Sequence, residues 1–404
     1  MVLTSSLKSL APLTSLLLGA ARAAPTGGAC QVASDTQAAV ELFRSQYNVT
    51  SGLWGATGPG FNGGSWWTTA EGIQILGDYA QCDPSQFHWI NEIFQNTYLL
   101  GQEYAIPYME TDDSQDLWDL THEHPTPAIY DGFLDGYYDD EGWFGLAWIK
   151  AWDLTHQEDY LTSAQQIFDD IAYSWNDTAA ACYGGVWWNR AGTYKGSIAN
   201  ELFLSLAAHL ATRIPQNGTF LEWALKEWTW FEQSGLINSN HTINDGLTET
   251  CVNNGQETWS YNQGVILGGL VELNKAHPNS SYITIASEIA NGAIEALSVD
   301  GILHDVCEPS CGDSSQFKGI FIRNLSILQA SEELDAADKE FFAQYIINNA
   351  NSIWNNDRNG TQLGEVWSGP WSVEQPTIQV QQSSAIECLL ASGLLQGCYS
   401  GTYI

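Results

Sequence analysis

The stretch YYDDEGWFGLAWIKAWDLT, residues 137–155, decides the fold because its pattern recurs five more times along the chain. In each copy an apolar segment rich in Gly and Ala follows a loop that carries Trp, Tyr, Asn or carboxylate side chains. At a spacing of roughly sixty residues, the other copies begin at Ser65, Tyr194, Thr258, Phe317 and Gln381. Self-similarity at one period is typical of a stacked or closed repeat architecture.

Six further segments alternate with these copies and have a charged face and an apolar stripe at helical spacing. They begin at Asp35, Ser85, Gln157, Thr219, Ser280 and Asp335. Because the apolar set must be buried and the amphipathic set must cover it, the sequence predicts an all-α (α/α)6 barrel, a toroid of six helical hairpins with twelve helices. An open α-solenoid is the alternative. No low-complexity linker divides residues 25–404, which we expect to form a single domain.

The composition narrows the choice of partner. The chain has 13 Lys and Arg against 47 Asp and Glu, a formal net charge of −34, which repels the phosphates of nucleic acid. A neutral polysaccharide is not repelled, and 18 Trp residues offer rings on which sugars stack. No nucleotide-binding motif and no His pair at metal-ligand spacing is present, so we expect neither a cofactor nor a metal.

The chain begins like a secretory precursor. Lys8, the apolar run around residues 10–19 and the small residues near Ala23 predict a signal peptide over residues 1–24. No later apolar stretch is long enough to cross a bilayer, and the sequence ends without the hydrophobic tail of a lipid-anchor signal. We therefore expect a secreted, extracellular monomer, in solution or associated with a cell wall.

Cysteines and glycosylation sequons agree with that route. The cysteines form an even set that predicts disulfides, with Cys307 and Cys311, or Cys388 and Cys398, as candidates for local loops and the connectivity left open. The full set is Cys30, Cys82, Cys182, Cys251, Cys307, Cys311, Cys388 and Cys398. Candidate surface-loop sequons occur at Asn48, Asn176, Asn217, Asn240, Asn279, Asn324 and Asn359.

Adjacent aspartates occur three times, but in different settings. The pair at 112–113 lies in a polar stretch, and the pair at 169–170 lies on the charged face of an outer helix. Only Asp139 and Asp140 precede an inner helix among aromatic residues. Capping the helix needs one Asp, so the second indicates chemistry. Neighbouring carboxyls lie on the order of 5–6 Å apart, close to the spacing used in double-displacement glycoside hydrolysis, and they hold their pKa values apart.

Side chains suited to stacking on sugars or hydrogen-bonding them cluster in the same loops. Packing inside the ring is the alternative role for each of them. The candidates for substrate binding are Trp66, Trp67, Tyr138, Trp188, Asn189, Asn200, Tyr261, Asn262 and Gln263.

Four of the motifs together carry a resemblance. YYDDEGWFGLAWIKAWDLT, GGVWWNRAGTYKGSIANELFLSLAAHL (184–210), TWSYNQGVILGGLVEL (258–273) and FKGIFIRNLSIL (317–328) resemble, in this order, the motifs of family 76 glycoside hydrolases, the endo-α-1,6-mannanases. The resemblance runs from Trp66 to the last helix and implies an (α/α)6 barrel that hydrolyses α-1,6-mannan with retention. It also implies that Asp139 is the nucleophile and Asp140 the acid/base. The Glu141-Gly142-Trp143 sequence and the absence of an anchor tail place the chain nearer the secreted mannanases.

Three alternatives stay open. The same Asp pair serves a transglycosylase that remodels cell-wall mannan if a sugar hydroxyl replaces water. A non-catalytic mannan-binding protein uses the aromatic cleft alone. An inverting hydrolase needs a more distant second carboxylate, for which the sequence offers Glu201, Glu257 and Glu365.

Overall fold

The computed structural model describes residues 30–55, 66–102, 132–372 and 378–399. The predicted signal peptide, the aspartates at 112–113 and the first residue of the repeat at Ser65 lie outside these ranges. No helix within them has the length and apolar character needed to cross a membrane.

Six inner helices correspond to the six repeat copies. They are α2 (Trp66–Cys82), α4 (Tyr138–Thr155), α6 (Ser197–Arg213), α8 (Ser260–Ala276), α10 (Phe317–Ala330) and α12 (Ile378–Leu395). Within the described residues, six amphipathic helices lie outside them: α1 (Gln31–Ser45), α3 (Phe87–Leu100), α5 (Glu158–Tyr173), α7 (Gly218–Gln233), α9 (Ser280–Leu297) and α11 (Ala336–Asn356).

The inner helices form a closed ring. Each packs on the next, from α2 through α4, α6, α8 and α10 to α12, and α12 packs on α2. The first helix, α1, covers the last, α12, so the two ends of the chain complete the sixth hairpin. The predicted (α/α)6 toroid is therefore confirmed, and the open solenoid is not what forms.

Small residues explain why the inner helices can approach so closely. A Cβ added at Gly264 of α8 would lie 2.6 Å from the Cα of Phe321 on α10. A Cβ at Gly319 of α10 would lie 2.6 Å from the Cα of Ser384 on α12. Real Cβ atoms do not tolerate such contacts, so the Gly/Ala-rich composition is what allows the ring to close.

The described strands are three short antiparallel hairpins that follow outer helices and lead back towards the inner ring. They pair β1 (Tyr47–Asn48) with β2 (Leu53–Trp54), β3 (Ser298–Val299) with β4 (Ile302–Leu303), and β5 (Arg358–Asn359) with β6 (Gln362–Leu363).

Ion pairs cross the interior of the ring. Arg323 of α10 contacts Glu71 of α2 at 2.8 Å and Glu387 of α12 at 3.0 Å, and all three side chains are buried. Lys150 of α4 contacts the buried Asp78 of α2 at 2.8 Å. The apolar repeat pattern does not predict these pairs, since each charge interrupts an otherwise hydrophobic helix.

Disulfides link Cys30 to Cys398, Cys182 to Cys251 and Cys307 to Cys311. The local Cys307–Cys311 loop is confirmed. The prediction of disulfides is confirmed, but the even set does not pair completely, since Cys82 and Cys388 are buried free thiols. A Cys388–Cys398 loop is wrong, because Cys398 is bonded to Cys30 and Cys388 is a free thiol.

One sequon does not lie in a surface loop. Asn324 is buried on the inner helix α10, where its amide donates to the carbonyl of Ile320 at 2.8 Å. Asn217 and Asn279 accept hydrogen bonds that cap α7 and α9.

Candidate active site

The aspartate pair lies in the first turn of α4. Asp139, Asp140 and Glu141 follow the extended residue Tyr137, which precedes the helix and makes no side-chain capping bond. Unpaired N–H groups and the helix dipole favour carboxylates at this end. The N-cap position is Tyr137, and both aspartates lie in the first turn inside it.

Backbone pairing brings a second motif onto this turn. Tyr137 and Asn189 form a bridge, and the N–H of Tyr138 donates to the carbonyl of Trp188 at 2.9 Å. The indole Nε1–H of Trp188 then donates to Oδ2 of Asp139 at 2.8 Å. Backbone and side-chain hydrogen bonds thus join two motifs that lie about fifty residues apart in the chain, and they meet at the carboxylate of Asp139.

Burial governs the electrostatics of Asp139. Removal from water raises the pKa of this carboxyl above its ordinary value. The hydrogen bond from Trp188 and the N–H groups of the helix turn lower the pKa, while the charge of Asp245 raises it. Oδ1 of Asp139 is buried and accepts no hydrogen bond from any described residue.

A third aspartate supports the second member of the pair. Asp135 is buried, accepts the N–H of Tyr137 at 3.0 Å and shares a side-chain hydrogen bond with Asp140. Burial, followed by the charge of Asp139, raises the pKa of Asp135. Glu141 holds the turn that leads into α4: its Oε1 accepts the N–H of Gly136 at 2.9 Å and that of Asp135 at 3.2 Å.

Asp245 approaches from another loop. Its carboxylate accepts the hydroxyl of Tyr194, and its carbonyl accepts the N–H of Ser197 at 2.8 Å. Its charge raises the pKa of both Asp139 and Tyr261. Sequence reasoning missed Asp135 and Asp245 because both lie in loops without periodicity, and only their Asp-Gly turns give a signal, which normally indicates a turn.

Aromatic side chains from four inner helices form one wall of the site. Tyr261 stacks on Phe317 with ring centres 3.7 Å apart and faces Trp143 at 6.4 Å. Trp67 contacts both Trp143 and Phe317. Burial and the charges of Asp139 and Asp245 raise the pKa of the Tyr261 hydroxyl. We call Trp67, Trp143, Tyr261 and Phe317 the aromatic wall.

Two predicted sugar ligands have amides that are bonded to the backbone. Asn200 is buried, accepts the N–H of Val186 at 2.7 Å and donates to the carbonyls of Val186 and Gly196. Gln263 is buried and bonds the N–H and carbonyl of Ile243, each at 2.8 Å. These amides fix the loops that carry Trp188 and Asp245.

The remaining candidates differ in exposure. Trp66 is buried against Phe133 and Phe144, and Tyr138 is buried in the first turn of α4. Asn189 accepts the N–H of Ala191 in a turn beside Trp188. Asn262 is buried, and its amide bonds to no described residue.

The three more distant carboxylates lie in different surroundings. Glu201 is buried on α6 near Tyr261 and Asp245, and neither of its oxygens accepts a hydrogen bond within the described ranges. Glu257 is exposed. Glu365 accepts the N–H of Cys311 at 3.0 Å, in the loop before α12. In the part of the chain that the structure describes, no three His, Cys, Asp or Glu side chains are placed to hold a metal ion.

Known proteins match over most of this fold. The family model of Glycosyl hydrolase family 76 matches residues 31–398. The mannan endo-1,6-alpha-mannosidase DCW1 of Candida albicans is 26% identical over 283 residues, 62% of this chain and 60% of that protein. The protein of the same name from Saccharomyces cerevisiae is 31% identical over 209 residues, 47% of this chain and 45% of its own length. The chain thus spans about half of the curated relatives it matches.

Solved structures share the fold. An inactive variant of the alpha-1,6-mannanase GH76A of Salegentibacter, with two successive aspartates changed to asparagine and alpha-1,6-mannotriose bound, aligns with a TM-score of 0.73 and 19% identity. The alignment covers 90% of this chain and 99% of that one. Dfg5 from Chaetomium thermophilum, in complex with glucosamine, aligns with a TM-score of 0.70 and 20% identity over 91% of this chain and 90% of its own.

Proposed function

The chain belongs to glycosyl hydrolase family 76, and from this premise we propose that it is a retaining endo-glycosidase that cleaves the α-1,6-mannosidic bonds of mannan. The observation that carries the proposal is the Asp139-Asp140 pair in the first turn of α4, beside the aromatic wall. The printed names of the curated relatives support the substrate. The inactive mannanase variant with bound mannotriose, altered at two successive aspartates, supports the assignment of the pair.

In the first step, Asp139 is the nucleophile. The indole of Trp188 donates to Oδ2 and orients the carboxylate, one oxygen of which attacks the anomeric carbon. The bond that forms joins the carboxylate of Asp139 to the sugar, and the bond that breaks is the one to the leaving oxygen. A covalent glycosyl ester on Asp139 results.

Asp140 supplies the proton that the leaving oxygen needs. Two carboxyls can share a hydrogen bond only if one of them carries a proton, and Asp140 shares such a bond with Asp135. That proton lies on the Asp135–Asp140 pair, beside the nucleophile Asp139. In the second step Asp140 takes a proton from water, which attacks the ester and releases a sugar with its original configuration.

Release into an oxidising, extracellular compartment forms part of the proposal. The three disulfides support it, because such bonds persist outside the cytosol. The predicted signal peptide at residues 1–24 supplies the route.

The test is incubation of the purified protein with linear α-1,6-mannan and, in parallel, with α-1,2-, α-1,3- and β-1,4-linked mannans. We expect shortened chains from the α-1,6 polymer alone, and proton NMR of the earliest product should show the α-anomer. Initial release of the β-anomer would exclude the double displacement. Products longer than the substrate would identify transfer to a sugar hydroxyl, and binding without cleavage would identify a lectin.

A further inference from the structure

A large groove lies on the outer side of the ring, away from the aspartate pair. Its floor is the exposed stripe of α7, where Glu222, Lys226, Thr229 and Gln233 lie on one face. One wall contains Trp175, Asp177, Cys182 and Tyr183, the other contains Leu247 and Cys251, and the volume is about 740 Å³. This volume suits several linked sugar rings.

The groove combines aromatic rings with exposed hydrogen-bonding groups. Trp175 and Trp230 meet edge to face at 6.3 Å, and Tyr183, with 72% of its surface exposed, lies on the rim. Thr229 and Gln233 are exposed beside them. Lys226 lies over the ring of Trp175, with Nζ 4.1 Å from its centre, so the ring open to a ligand is that of the exposed Tyr183. Pyranose rings have apolar faces that stack on such a side chain and hydroxyls around their edges, so Tyr183 with Thr229 and Gln233 fits a neutral carbohydrate.

The rim is held rigidly in an unusual conformation. Cys182 and Tyr183 both have left-handed backbones, with φ of 60° and 56°, and the disulfide from Cys182 to Cys251 joins the two walls. Next to them, Gly185 packs against the ring of Trp230, where a Cβ would lie only 2.5 Å away. Consecutive left-handed residues other than glycine are rare, and such conformations concentrate at binding sites. The arrangement fixes the backbone from which the exposed ring of Tyr183 projects.

Both walls continue into the active site. Tyr183 lies five residues before Trp188, the donor to Asp139, on one loop. On the opposite wall, Leu247 lies two residues after Asp245. The same pair of loops therefore contributes residues to both the groove and the active site.

We propose that this groove is a second binding site for the polysaccharide, taking a segment of the mannan chain that is not being cleaved. The inference rests on the proposed function, because it assigns the groove the same neutral hexose polymer. It predicts that long chains gain contacts that short oligosaccharides do not make.

The experiment alters the groove without touching the aspartate pair. Tyr183→Ala removes the exposed ring, and Thr229→Arg fills the floor from an exposed position of α7. Tyr173→Ala, which removes another exposed tyrosine outside the groove, is the matched control. For each folded variant, kcat/KM is measured on α-1,6-mannotetraose and on polymeric α-1,6-mannan. Retention on insoluble mannan is measured in an Asp139→Asn background.

We expect both groove variants to keep wild-type kcat/KM on the tetraose and to lose about threefold or more on the polymer, with weaker retention on mannan. Tyr173→Ala should match wild type on both. An unchanged ratio of polymer to tetraose activity would overturn the second site while leaving the proposed function intact. Failure of the wild-type protein to cleave either substrate would overturn the function instead. A change in oligomeric mass with an unchanged ratio would make the groove a contact between protein copies and also overturn the proposal.

Discussion

Replacing Trp188 by Phe isolates one hydrogen bond at the nucleophile. The change removes the Nε1–H that donates to Oδ2 of Asp139 at 2.8 Å and keeps an aromatic ring in its place. A hydrogen bond to a charged group contributes about 1.5–3 kcal/mol, and the 36% exposure of Trp188 favours the lower end because water can replace the donor. We therefore expect kcat/KM to fall about tenfold.

The pH dependence of Trp188→Phe has a defined sign. The indole donor lowers the pKa of Asp139, so its removal raises that pKa further above the ordinary value. Asp139 must be ionised to attack, and the acidic limb of kcat/KM against pH should move to higher pH. Steady-state kinetics on mannotetraose from acid to neutral pH measure both effects. Wild-type kcat/KM together with an unmoved acidic limb would refute the role of this bond.

Three further predictions concern the aspartates and the ring interior. Asp139→Asn should be inert even towards an aryl α-mannoside with an activated leaving group, whereas Asp140→Asn should release a burst of the aryl alcohol and then stop. Stopped-flow absorbance distinguishes the two variants. Steady turnover by either variant would contradict the role assigned to its aspartate. Asp135→Asn removes the proton shared with Asp140 and should lower kcat on mannan about a hundredfold. It should hardly change kcat on the activated aryl substrate, whose leaving group needs little protonation. Equal losses of kcat on the two substrates would indicate that Asp135 has only a structural role. Arg323→Met leaves two buried glutamates without their partner and should cost about 3–5 kcal/mol in urea unfolding. Exposed Arg358→Met is the control and should lie close to wild type.

The fold could be predicted because each copy of the repeat has the same local composition, rich in Gly and Ala. The inner helices beginning at Trp66, Ser197 and Phe317 start within three residues of the copies that the sequence shows, since Gly and Ala are needed wherever helices meet in the ring. The same regularity separates Asp139 and Asp140 from the other aspartate pairs.

Contacts between distant loops could not be predicted in this way. Asp135 and Asp245 reach the site through backbone bonds of irregular segments, and their sequence signal is that of a turn. Cys30 and Cys398 pair across almost the whole chain, which no local spacing reveals. The amides of Asn200 and Gln263 suit a sugar equally well in sequence, and only the fold shows that they bond the backbone.

The junction of the two chain ends determines how the ring can come apart. Because α1 covers α12 and Cys30 is bonded to Cys398, neither terminal helix can peel away independently. By the loop-closure relation, a cross-link spanning 368 residues restricts the unfolded chain by about 6 kcal/mol. Opening the chain in an outer loop should therefore give a nicked chain in which α1 and α12 stay paired and the ring is the same.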